Sequence, residues 1–117
     1  AMSSAKLSLL SSVLVKPVSE ILAGLSIDPG AIGLVWMDIE GYEPIACRSM
    51  QLLLTRRVPL HMEFTPLFYG AEETRAFISM LAGYYEDCLV LFEDREEEMK
   101  VRDLPGEFDQ YNVLFLP

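Results

Sequence analysis

The chain contains the apolar segment IGLVWM at Ile32–Met37, followed at once by the acidic segment DIEGYE at Asp38–Glu43. Ile32–Met37 is apolar throughout, and Pro29 and Gly30 come shortly before it. A continuous apolar run, as opposed to an alternating one, is typical of a strand whose two faces are both covered, as in a parallel sheet between helices. We therefore predict a buried strand over this run, with Trp36 in the core.

Before and after this predicted strand, apolar residues recur at helical spacing, and further apolar runs follow along the chain. The predicted elements are, in chain order, a helix opened by Pro17, the strand Ile32–Met37, a helix over Pro44–Arg57, a strand over Val58–Phe64, a loop at Pro66 and Gly70, a helix over Ala71–Tyr85, and strands over Cys88–Phe92 and Asn112–Leu116. Strands that alternate with helices indicate an α/β domain.

The remaining segments are predicted to lie outside this framework. Residues 1–12 are serine-rich and are expected to form a flexible lead-in, and Val13–Val15 is a short β-branched run. The acidic run EDREEE at Glu93–Glu98 is interpreted as a solvated loop or helix end. The folded domain is expected to span residues 13–117.

Charge and hydropathy exclude several classes of partner. The formal net charge is −9, from 18 acidic and 9 basic residues, so nucleic acid and anionic membrane surfaces should be repelled. No apolar run approaches the ~18 residues that a membrane span needs. The hydrophobic fraction of 51% therefore has to be buried in a core or an interface, which suggests a homo-oligomer.

Cysteine and histidine usage narrows the chemistry further. Cys47 and Cys88 do not form a CxxC pair and both lie in apolar stretches, which favours reduced, buried thiols in a cytoplasmic protein. With the single histidine, His61, no His/Cys zinc site can form. His61 is interpreted as a hydrogen-bonded core or interface histidine in preference to a catalytic base. The sequence contains no GxGxxG turn, P-loop or GxSxG elbow.

The candidate site residues follow the predicted strands. Ligands of open α/β sheets bind beyond the carboxyl ends of the strands. This rule selects Asp38 and Glu40 after the first strand, Glu63 and Thr65 at the end of the second, and Glu93 and Asp94 after the third. Such carboxylates can bind a hydroxyl, accept its proton or hold a divalent cation. Alternatively, Asp38 only ends the strand and Glu43 only stabilises the start of the next helix. The sequence leaves both interpretations open.

The segment IGLVWMDIEGYE, a following helix and then VPLHMEFTP resemble the second half of FkbM-type methyltransferases over residues 13–117. The resemblance implies a partial Rossmann-like class I methyltransferase sheet, the C-terminal half, mostly parallel with a terminal antiparallel strand and with helices on both faces. Ile32–Met37 corresponds to the fourth strand of that sheet and Val58–Phe64 to the fifth. The last two strands correspond to the hairpin that closes its far edge.

The resemblance also implies roles for individual residues. Asp38 and Glu40 would lie beside the methyl donor and Glu63 would face the acceptor, as the catalytic residues, while Tyr42, Glu43 and Thr65 would bind substrate. The family uses S-adenosylmethionine and a small-molecule hydroxyl acceptor. Its glycine-rich loop and its ribose-binding acid lie on earlier strands that this sequence does not match, so the chain alone is expected to bind no cofactor and to be inactive.

Two other hypotheses remain. The chain could be a non-catalytic assembly module that forms a homodimer through the edge of the IGLVWM strand. It could also be a small metal enzyme, if Asp38, Glu40 and Glu63 converge on a divalent cation.

Overall fold

A computed structural model describes residues 17–107 and 110–117. Within them the chain forms five α-helices and five strands: α1 (Val18–Gly24), β1 (Val35–Met37), α2 (Glu43–Arg48), α3 (Gln51–Thr55), β2 (Leu60–Phe64), α4 (Pro66–Tyr69), α5 (Ala71–Ala82), β3 (Asp87–Leu91), β4 (Glu96–Lys100) and β5 (Tyr111–Phe115). The predicted lead-in over residues 1–12 and the run Val13–Val15 lie outside the described residues.

The five strands form one mixed sheet in the order β1-β2-β5-β3-β4. The pairing of β1 with β2 is parallel, whereas β2 with β5, β5 with β3 and β3 with β4 are antiparallel. The α/β class is confirmed. The prediction of a mostly parallel sheet with one antiparallel strand is wrong, because β4 and β5 both run against the other three strands and only one pairing is parallel.

The described helices cover one face of the sheet. Since successive strand residues point to opposite faces, Leu60, Met62 and Phe64 share a face, and they join residues of α3 and α5 in a single hydrophobic core. The other face carries Trp36, Glu63, Leu89, Leu91, Asn112 and Leu114, all exposed or half-buried. We call it the open face.

The expectation of helices on both sides of the sheet is wrong for the described residues, because the open face has no helix on it. The connections from β1 to β2 and from β2 to β3 advance in the same direction across the sheet. Crossovers of the same hand that advance in the same direction place their helices on the same face. Within the described residues, α2, α3 and α5 therefore contribute to one core and leave the opposite face uncovered.

The buried position predicted for Trp36 is also wrong. Its side chain is 68% exposed, and Leu34 beside it is 52% exposed. Only Val35–Met37 of the apolar run is strand, and Met37 alone of these three residues is buried in the core. A continuous apolar run predicts cover on both faces, but in this part of the chain only one face is covered.

The acidic run does not form a loop or helix end throughout, because Glu96–Lys100 forms the edge strand β4. Its backbone pairs with β3, with Glu98 opposite Leu89, while the three glutamate side chains point into solvent. Charged side chains on an edge strand discourage pairing with other molecules.

The predicted helix Pro44–Arg57 is two helices, interrupted at Ser49 and Met50. The Ser49 hydroxyl donates to the Ala46 carbonyl at 2.7 Å and accepts from the Val18 N–H at 3.2 Å. This local bond competes with helix continuation and attaches the start of α1 to the end of α2. The loop predicted at Pro66 and Gly70 contains the short helix α4, and the helix predicted over Ala71–Tyr85 ends at Ala82.

Candidate functional site

The acids selected from the sequence meet at one edge of the sheet. Because β1 and β2 are parallel neighbours with Met37 opposite Met62, Asp38 leaves β1 next to Glu63. Burial and the negative charges of Asp38, Glu43 and Glu40 raise the pKa of Glu63. We call Asp38, Glu40, Glu43 and Glu63 the acidic rim, because all four lie at or just beyond the carboxyl ends of β1 and β2.

Glu43 is the fully buried member of the rim, at 0% exposure. Its Oε2 accepts the Ile39 N–H at 3.1 Å, and its Oε1 accepts the Gly41 N–H at 3.0 Å and the Tyr69 hydroxyl at 2.9 Å. A buried carboxylate is tolerated when it is fully hydrogen-bonded. The arrangement gives Glu43 a positioning role in the loop after β1 and leaves no accessible face for the substrate contact that we expected.

The loop held by Glu43 adopts a backbone that needs glycine. Glu40 and Gly41 have φ values of +50° and +100°, in the left-handed region that favours glycine. A Cβ on Gly41 would also lie 3.2 Å from the Phe68 ring. This turn leaves the side chains of Asp38, Glu40 and Tyr42 exposed at the edge of the sheet.

Tyr69 joins the loop after β1 to the loop after β2. Its hydroxyl donates to Glu43 and accepts the Thr65 N–H at 3.3 Å. Burial raises the pKa of Tyr69 far above its ordinary value, so the hydroxyl remains a donor at neutral pH. Thr65, expected to contact substrate, is buried at the end of β2. The sequence did not single out Tyr69, since one tyrosine in the short segment TPLFYG carries no periodic or motif signal.

An aromatic pair lies on the open face one row away from the acidic rim. Trp36 and His61 are register partners, and their rings stack with centroids 3.8 Å apart and planes 14° apart. His61 is buried as predicted, but the prediction that it is hydrogen-bonded is wrong for Nδ1, which has no partner within the described residues. Burial lowers the pKa of His61, and the charge of Asp38 opposes that shift. The imidazole is therefore neutral at neutral pH.

The described residues do not support two other kinds of site. No three His, Cys, Asp or Glu side chains among residues 17–107 and 110–117 are grouped so that they could hold a metal ion, which removes the basis for a metal enzyme acting through Asp38, Glu40 and Glu63. Cys47 and Cys88 are free and buried as predicted. Burial raises the pKa of each thiol to about 12, so neither is an activated nucleophile.

Comparison with known proteins adds no family. No protein-family model, curated protein or solved structure matches this chain. In the described part of the chain, no helix combines the length and the hydrophobicity needed to cross a bilayer.

Proposed function

We propose that this chain is the acceptor-side half of an FkbM-like, S-adenosylmethionine-dependent O-methyltransferase and is inactive alone. The observation that carries the proposal is the acidic rim. Asp38 and Glu40 follow β1, Glu63 lies near the end of the parallel neighbour β2, and burial together with the charges of Asp38 and Glu40 raises the pKa of Glu63. A rim of carboxylates at the carboxyl ends of parallel strands is suited to binding a hydroxyl and taking its proton.

The strand arrangement supports the same proposal. The resemblance assigns β1 and β2 to the fourth and fifth strands of the methyltransferase sheet and β3 and β5 to the hairpin at its far edge. β1 and β2 are adjacent and parallel, and β3 and β5 pair with each other beyond β2. The strand β4 is an addition that the resemblance does not account for.

Glu63 is the residue that we assign to proton transfer. A raised pKa makes a carboxylate a stronger base near neutrality than an ordinary glutamate. Its half-buried side chain lies on the open face, where an acceptor can approach. Asp38 and Glu40 raise the basicity of Glu63 through their charges. Glu43 and Tyr69 hold the loop that carries Asp38 and Glu40.

The described residues do not fit S-adenosylmethionine by themselves. The glycine turn after β1 has no free cradle, because the Phe68 ring fills the space beside Gly41. The Ile39 and Gly41 N–H groups, which could have bound a ligand, are already bonded to Glu43. The nucleoside and methionine contacts therefore have to come from another polypeptide segment.

The test is a calorimetric titration of S-adenosylmethionine into two samples. One is this chain, and the other is a longer product that also contains the residues encoded directly upstream of Met2. We expect no measurable heat of binding for the 117-residue chain and saturable binding for the longer product. In the longer product, Glu63→Gln should lower kcat while leaving cofactor affinity unchanged, and Glu72→Gln, an exposed acid on α5, is the control. Tight binding by the 117-residue chain, or none by the longer product, contradicts the proposal.

A second candidate, a non-catalytic assembly module that forms a homodimer, is favoured by the open face. Among residues 17–107 and 110–117, β1 is an edge strand with one unpaired side, and Leu34 and Trp36 expose large apolar side chains there. An edge strand with apolar neighbours is a template for pairing with a second copy. The two candidates differ in what covers the open face, which is a second half of the enzyme in one case and a second copy in the other.

A further inference from the structure

A groove on the helix-covered side of the molecule has a lining that the proposed function does not use. It encloses about 540 Å³ between α5 and the segment 102–107. Its floor is apolar, with Ile78 and Ala82 from α5 and Leu104 from the facing segment. Ile78 and Leu104 also belong to the hydrophobic core, so the floor is fixed by packing.

Two arginines line the same groove, and neither has a partner in the described part of the chain. Arg75 projects from α5 and Arg102 from the turn Val101–Asp103. Neither makes a hydrogen bond or ion pair with any described residue. In a chain with twice as many acids as bases, two unpaired guanidinium groups in one groove are a local positive charge. Glu107 is the one acid among the described lining residues, so their net charge is positive.

Lys100, the basic residue next to this groove, is already paired with acids. It therefore adds no free positive charge to that of the two arginines. A smaller cavity of about 300 Å³ shares Ala82 and Arg102 with the groove and is also lined by Lys100. Lys100 donates to Asp87 at 2.8 Å and to Glu86 at 3.3 Å. Arg75 and Arg102 are therefore the cations left to meet a ligand at this place.

From these features we infer that the groove binds a small amphiphile, an alkyl chain that carries one anionic head group. The planar guanidinium groups of Arg75 and Arg102 suit a carboxylate or a phosphate monoester, which they can bind through paired N–H donors. The alkyl chain lies over Ile78, Ala82 and Leu104 and loses contact with water there. This ligand is distinct from the methyl acceptor, because the acidic rim would repel an anion.

The test is a titration of the ¹⁵N-labelled chain with decanoate, followed by NMR. Amide shifts are expected at residues 71–82 and 102–107, with the indole N–H of Trp36 unmoved, since Trp36 reports on the open face. Decyl phosphate should bind at the same place, and its affinity relative to decanoate distinguishes the two head groups. Acetate tests the head alone, and decanol and decyltrimethylammonium test the chain without an anion.

Variants separate the groove from general charge effects. Arg102→Gln and Arg75→Gln should each weaken decanoate binding about tenfold, as expected for the loss of a charged hydrogen-bond donor. Arg57→Gln removes the same charge outside the groove and should leave the affinity unchanged. Ser79→Leu, which fills the groove from α5, should abolish binding, and circular dichroism checks that each variant is folded. Equal affinity for decanol and decanoate, or shifts confined to Trp36, would overturn the inference.

Discussion

Glu43 is a single side chain on which the geometry of the acidic rim depends. It is completely buried, yet its two oxygens accept three hydrogen bonds from Ile39, Gly41 and Tyr69. The sequence placed Glu43 correctly at the start of a helix but could not show that its carboxylate turns back into the preceding loop. That inward direction depends on Tyr69, a residue 26 positions away.

Replacing Glu43 with glutamine should therefore destabilise the protein. Glutamine has one carbonyl oxygen for three donors, and its NH₂ group would face an N–H that needs an acceptor. We expect Glu43→Gln to lower the free energy of unfolding by about 2 kcal/mol, measured by urea denaturation. Glu40→Gln, an exposed change in the same loop, should stay within about 0.5 kcal/mol of wild type. Equal stability of the two variants would contradict the role given to Glu43.

The stack of Trp36 on His61 predicts that the fluorescence of Trp36 depends on pH. Trp36 is the single tryptophan, and a protonated imidazole quenches indole fluorescence on contact. Because burial lowers the pKa of His61, fluorescence should fall only as the pH drops below the ordinary histidine value of 6.5. Asp38→Asn removes the charge that opposes the shift and should move the midpoint lower still.

The fluorescence titration has a direct control. His61→Leu should abolish the pH step while leaving Trp36 in place. A midpoint at or above 6.5, or a step that persists in His61→Leu, would show that the stack does not report on His61.

Among the secondary-structure elements, the hydrophobic pattern predicted most of the strands but not which of their faces are covered. The strands β2, β3 and β5 lie within a residue or two of the predicted runs, because each is short, apolar and bounded by turn residues. The exposure of Trp36 and the pairing of β4 were not predictable, since both depend on which neighbours the strand meets. An acidic run is typical of a loop, and here it forms a strand because its backbone pairs with β3.

The break between α2 and α3 is the element boundary most open to test. Ser49 ends α2 through its bond to Ala46 and receives the Val18 N–H of α1. Ser49→Ala should lower the free energy of unfolding by about 1 kcal/mol and speed hydrogen exchange at the Val18 amide, as measured by NMR. Ser79→Ala on the exposed side of α5 is the matched control. Unchanged exchange at Val18 would mean that Ser49 does not hold α1.

At the scale of the whole molecule, the open face is the feature that sequence reasoning missed most clearly. The alternation of strands and helices suggested cover on both faces, but the direction of the two crossovers puts the helices of the described chain on one face. The residues of the strands do not indicate on which face of the sheet the helices pack. The face on which a helix packs follows from the order in which strands join the sheet, which pairing between distant segments decides.

The open face leads to a prediction about assembly. If a second copy covers it, light scattering should give the mass of a dimer, and association should strengthen with added salt because each chain carries a net charge of −9. Trp36→Ser should shift the equilibrium toward monomer, whereas Leu52→Ser, a change at an apolar residue on α3 that is 56% exposed, should not. A monomer at high concentration and high salt would rule out the assembly module.

The functional proposal depends on the acids of β1 and β2 acting as one unit at the edge of the sheet, and an NMR titration of the Glu63 side-chain carboxyl tests this most directly. The pKa should lie above the ordinary 4.5 because of burial and the nearby negative charges. It should fall in Asp38→Asn and stay unchanged in Glu72→Gln. A Glu63 carboxyl that titrates at its ordinary pKa and does not respond to Asp38→Asn would contradict the shared acidic rim.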